Sequence, residues 1–119
     1  MMAYRSFEEM PVWQKANKVA IEIFKLTTAL PRSEDYGLTS QIRRSSNGIS
    51  ACLAEGFGRN TKKDKSNFYI IARGSAYETE SHLLYGKGVG YFSTQSVDDL
   101  ISEINEIIHD LNKLIKSLA

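Results

Sequence analysis

Apolar positions recur at three- and four-residue intervals along nearly the whole chain, in four blocks separated by proline, glycine and polar breaks. The block at residues 97–118 is the clearest. Val97, Ile101, Ile104, Ile108, Leu111, Ile115 and Leu118 alternate at those intervals, and Leu100, Ile107 and Leu114 broaden the stripe. At about 100° per residue this spacing predicts a helix with one apolar side. Residues 11–29 read the same way, with Val12, Ala16, Val19, Ala20, Ile23, Thr27 and Leu30 in line and Trp13 and Phe24 widening it. Pro11 suits a first helical turn and Pro31 ends the helix. Residues 62–90 place Phe68, Ala72, Ser75, Thr79, Leu83 and Gly86 inward, with Ile71 and His82 on one shoulder. Caps are expected at Ser33, at Thr61 or Asn60, and at Ser96, while Gly86, Gly88 and Gly90 fray the third helix.

Residues 34–57 form the remaining helix, and its pattern is more complicated. Leu38, Ile42, Ser45, Ile49, Leu53 and Gly56 share one face, and Arg43, Asn47, Ser50 and Ala54 lie roughly opposite. A third line, Gln41, Arg44, Gly48, Cys52 and Glu55, runs between them. A surface helix needs only an apolar face and a wet one. This additional flank is small and hydrogen-bonding, which lets another backbone approach but requires partners for its buried polar groups.

No segment shows strand alternation bounded by hairpin turns. Four helices of similar length with short connections predict an all-α fold, an antiparallel up-down-up-down four-helix bundle, as one domain over residues 1–119. At 119 residues with 42% apolar content the chain is long enough for a substantial core. No apolar run approaches the ~20 residues of a membrane span, and the first residues lack the apolar stretch of a signal peptide. A single cysteine, Cys52, excludes an internal disulfide and fits a reducing cytoplasm, the expected location.

A second apolar line stands out on the third helix. Ile70, Tyr77 and Leu84 repeat every seven residues on the side away from the core. Isolated exposed apolar residues are ordinary, but three in one line mark a candidate subunit interface.

Charge and candidate chemistry change this picture only locally. Net charge is +1, so no global field points to nucleic acid. The basic set is Arg43, Arg44, Arg59, Lys62, Lys63, Lys65 and Arg73, of which Arg59 to Lys65 cluster at the turn between helices two and three. Repeated around one rim of an oligomer, that turn becomes a candidate RNA or DNA contact. Arg44, Glu55 and Glu78 are expected to find partners across helices or subunits. Glu106 and His109 match the Glu-x-x-His pattern of di-iron bundles, but such sites need two copies and further inward carboxylates, so no metal is expected. Cys52 has no histidine near it in sequence, and phosphate-binding glycine loops and nucleophile elbows are missing. The expectation is a protein without catalytic residues or a cofactor.

The chain resembles the bacterial four-helix-bundle proteins named after intervening sequences in 23S ribosomal RNA genes. The resemblance runs through Val12-Trp13-Gln14-Lys15-Ala16, Pro31, Glu34, Tyr36-Gly37-Leu38, Gln41-Ile42-Arg43-Arg44 and Ala54-Glu55-Gly56-Phe57-Gly58-Arg59. It continues with Ala72-Arg73-Gly74-Ser75, Glu78 and Gly90-Tyr91. It implies a homopentamer of bundles, a fold without an established biochemical activity in most members, and a name that reflects gene location. A related group, the accessory proteins of diversity-generating retroelements, resembles a basic pentameric barrel that binds a reverse transcriptase and nucleic acid. A protein or nucleic-acid partner is therefore expected, and no membrane. Gly48 and Cys52 depart from the family's usual serine and asparagine, so if relatives carry a polar network on the third line of helix two, two of its members are missing here.

Overall fold

The computed structural model describes residues 4–119, and it is built from α1 (Pro11–Thr27), α2 (Leu38–Phe57), α3 (Lys62–Gly88) and α4 (Thr94–Ser117). Two 3-10 turns, Phe7–Glu9 and Arg32–Glu34, precede α1 and α2. Each helix packs against its neighbours in sequence, α4 closes onto α1, and α1 and α3 occupy opposite corners. Cross-helix contacts run in opposite order along every pair. The start of α1 meets the end of α4 at Lys15–Asp110, and the end of α1 meets the start of α2 at Phe24–Arg43. Gly56 faces Tyr69 while Ser45 faces Thr79, and Arg73 reaches Asn112 while Gly86 lies under Phe92. These registers define the antiparallel bundle, which measures 44 × 24 × 21 Å.

The core takes Val12, Ala16, Val19 and Ile23 from α1 and Leu38, Ile42, Ile49 and Leu53 from α2. Tyr69, Ala72, Ala76 and Leu83 from α3 join Val97, Leu100, Ile104, Ile107, Ile108 and Leu111 from α4. Each fully buried Ile or Leu contributes on the order of 1.5–3 kcal/mol relative to exposure. The α4 seam is narrower than its sequence stripe: Ile101 and Ile115 are only half-buried, and Leu100 and Ile107 take the inner positions. On α3, Tyr69 and Ala76 are buried where Phe68 and Ser75 are expected, and Ile71 is exposed. The α3 pattern is ambiguous because apolar residues lie all around that helix.

Helix ends depart from expectation where side chains bond to the backbone. Thr27 donates to the Ile23 and Phe24 carbonyls at 2.8 and 3.0 Å, and α1 stops there, two residues short of Ala29. Ser33 does not cap. Instead the Glu34 carboxylate accepts the Leu38 N–H at 3.1 Å, and α2 begins at Leu38 rather than at Glu34. The other Glu34 oxygen accepts the Tyr91 hydroxyl at 2.9 Å, tying the start of α2 to the turn before α4. Thr61 caps α3 through the Asp64 N–H. Ser93, not Ser96, caps α4, because the chain turns back immediately after Gly90, whose φ is +87°. Among the described residues no helix is long and apolar enough to cross a membrane.

The flank of small residues on α2 meets α3. A Cβ on Gly48 would lie 3.4 Å from Ser75 Oγ, which is ordinary contact distance. One turn away, Thr79 donates to Ser45 Oγ or shares its hydroxyl with the Ser75 carbonyl, at 2.9 and 2.8 Å, inside the α2–α3 seam. The pair meets at one height in the seam, and neither hydroxyl depends on the other alone: Ser45 also donates to the Ile42 carbonyl at 3.2 Å, and the Ser75 carbonyl is open to Thr79 on its own helix. Ser46 and Ser50, on or beside the line expected to be wet, are buried because α1 covers them, and both bond to their own helix's carbonyls.

Candidate interaction face

The outward side of α3 is the most unusual surface of the bundle. Arg73 reaches α4 and Ser75 meets α2, so these two positions locate the flanks of the helix. Counting about 100° per residue from them, Ile70, Tyr77 and Leu84 stand on the shoulder nearer α4. Ile71, Glu78 and Tyr85 stand on the shoulder nearer α2. The five apolar members are 42–56% exposed. Between the two shoulders runs a low crest of Gly74, Ser81 and Gly88, and a Cβ on either glycine would meet nothing within 4 Å. The expected line of three is therefore one side of a trough with apolar walls.

A second exposed apolar set lies on α1. Ile21 is 48% and Phe24 55% exposed, although Phe24 belongs to the stripe expected to face the core. Phe24 lies about 100° from Ile23, on the side where Arg43 of α2 covers it at 4.2 Å. These residues border an α1–α2 cleft of about 470 Å³, whose charged lining is Arg43 and Arg44. Angular position, counted strictly, separates Phe24 from the core; residue type alone does not.

The basic residues divide between folding and solvent. Arg43 donates to Thr27 Oγ1 at 2.8 Å and to the Phe24 carbonyl, closing the end of α1. Lys65 donates to the Phe57 carbonyl at 2.7 Å and closes the end of α2. Both cations therefore sit where the helix dipole favours them. Arg73 is held by Asn112 on the α3–α4 flank, away from the turn. Arg59 pairs with Glu55 at 2.8 Å and lies over the Phe68 ring. Lys62 and Lys63 are exposed at the turn, and Arg44 is exposed on α2. Among the described residues, none of these three makes an ion pair.

The remaining polar groups do not converge on a reaction centre. Glu78 lies 3.3 Å from His82 one turn later on α3. Burial, and then Glu55, push the Cys52 thiol above its ordinary range, which disfavours the nucleophilic thiolate. Glu106 and His109 are both exposed on α4, and among the described residues no three His, Cys, Asp or Glu side chains gather as a metal site requires. Two carboxyls are held above their usual range. Glu80 is raised by burial, and its Oε2 has no hydrogen-bond partner. Glu103 is raised by burial and then by the nearby Glu22 carboxylate, against the opposing pull of Lys18.

The backbone is similar to that of a crystallised protein of unknown function from the S23 ribosomal protein family of Bacteroides thetaiotaomicron. That match has a TM-score of 0.79 and 25% sequence identity, and covers 88% of this chain and 98% of the other. No match is found among curated proteins. The family model for 23S rRNA-intervening sequence proteins matches residues 8–113, nearly the whole bundle, and this chain belongs to that family.

Proposed function

We propose that the protein is a non-enzymatic scaffold: a four-helix bundle that assembles with copies of itself and presents a repeated surface to a protein or nucleic-acid partner. The observation that carries this reading is the α3 trough. Its apolar walls, Ile70, Tyr77 and Leu84 with Ile71 and Tyr85, contribute nothing to the bundle's own core. Such a contiguous patch on a small bundle is a mark of association. The pentameric state comes from the family resemblance. Light scattering at micromolar concentration tests the reading, with five times the chain mass expected for the native protein and a lower mass for Tyr77→Lys. A native protein that stays monomeric overturns it.

A second reading makes the assembly an RNA or DNA adaptor. It is supported by Lys62 and Lys63, which occupy the first turn of α3, where the helix dipole disfavours positive charge. These two lysines oppose local stability, and a phosphate partner supplies a reason for their position. Binding should weaken steeply with added salt and in the Arg59→Gln, Lys62→Gln, Lys63→Gln variant. Binding unchanged by those substitutions removes this reading.

A further inference from the structure

We infer that the α3 trough of one copy receives the α1–α2 cleft edge of the next, so that the contact is head-to-tail. The inference rests on the self-association proposed above and specifies which surfaces meet. Two exposed apolar sets are present. One is the trough on α3, and the other is Ile21 and Phe24 on α1. They lie on helices at opposite corners of the bundle, so one copy cannot bring both to the same contact. A symmetric pairing of α3 with α3 leaves Ile21 and Phe24 exposed, and a pairing of α1 with α1 leaves the trough exposed. With a single kind of contact, only the pairing of unlike faces covers both in every copy, and contacts of that kind generate closed rings or filaments.

Shape and charge agree with this assignment. The trough has room along its crest at Gly74 and Gly88 and apolar walls on both sides. Ile21 and Phe24 project from α1 one turn apart, as a ridge suited to enter it. The cleft beside that ridge is lined by two arginines and no acid, and Arg44 there makes no ion pair among the described residues. On the trough the outward charge is Glu78, exposed on the shoulder nearer α2. Arg44 of one copy thus has a carboxylate to meet on the next.

Two single-face variants test the pairing. Ile21→Glu disables the ridge and Tyr77→Glu disables the trough, and far-UV circular dichroism checks that each remains helical. Should either variant unfold, Asn47→Glu replaces the first and Leu84→Glu the second. Each variant alone is expected at the monomer mass by light scattering. An equimolar mixture is expected at twice that mass, because each variant retains the face the other has lost. A mixture that stays monomeric, or a variant that assembles as the native protein does, overturns the pairing while leaving self-association intact. A native protein that is itself monomeric overturns the underlying scaffold reading as well.

Discussion

At the scale of single residues, the glycines of this bundle divide by what surrounds them. Gly86 lies against the buried Phe92 ring, and its carbonyl accepts both the Tyr91 and Phe92 N–H groups. A methyl there overlaps the ring, so Gly86→Ala is expected to destabilise the protein by about 1–3 kcal/mol, the usual range for overpacking. Gly48 has a neighbour only at ordinary contact distance. Gly48→Ala is expected to stabilise by about 0.5–1 kcal/mol, because alanine loses less backbone freedom in a helix. Denaturant melts of the two variants should shift in opposite directions. The sequence alone ranks both as small residues on packed faces; only the distance to the opposing atom separates them.

Glu80 makes a second prediction at this scale. Burial raises its folded-state pKa above 4.5, so the folded protein binds the proton more tightly than the unfolded chain does. Its ionised form therefore opposes folding above the raised value. That penalty disappears as pH falls through the raised value toward 4.5. Glu103 acts in the same direction. The thermal midpoint is expected to rise as pH falls from neutral toward 4.5, the ordinary glutamate value, as these two carboxyls take up protons. Glu80→Gln should make that rise shallower, as followed by circular dichroism across the pH series. A midpoint that falls steadily over the same interval contradicts the assignment.

At the scale of elements, periodicity reveals a helix's existence more reliably than its ends or its buried side. The α4 stripe has polar residues around it, and its core follows directly from the spacing. On α3 an apolar residue stands on nearly every side, so the inner face can be resolved only once α2 and α4 are in place. The outward line of Ile70, Tyr77 and Leu84 was legible because a seven-residue interval keeps one side of a helix. Its partners Ile71 and Tyr85 were not, since a shoulder cannot be assigned to solvent before the neighbouring helix is placed. The starts of α2 and α4 depend on Glu34 and Ser93, whose capping geometry comes from turns that no local pattern encodes.

The first turn of α3 offers a prediction that separates stability from recognition. Lys62 and Lys63 stand where the dipole prefers acid, so Lys62→Glu and Lys63→Glu should each stabilise the bundle by about 0.3–1 kcal/mol at low salt. If the lysines contact phosphates, the same substitutions abolish nucleic-acid binding. Melts and filter binding on one pair of proteins should therefore move in opposite senses. A parallel loss of both would show that these lysines hold the fold together and have no separate role.

At the scale of the whole molecule, Gly74 distinguishes a lone bundle from an assembled one. It lies at mid-helix in α3, and a methyl at this position would meet nothing within 4 Å in a single copy. In an isolated bundle Gly74→Ala can only help, by about 0.8–1.0 kcal/mol of helix propensity. In an assembly whose contact runs along the α3 trough, the methyl occupies the floor on which a neighbour's side chains rest. Stability in such an assembly also depends on protein concentration, because association draws the folded state forward by mass action. The expected result is a variant with a higher thermal midpoint than the native protein when dilute and a lower one when concentrated. The crossing point lies near the native dissociation constant. If the alanine variant keeps its advantage at every concentration, the trough stays open to water and the assembly uses another face.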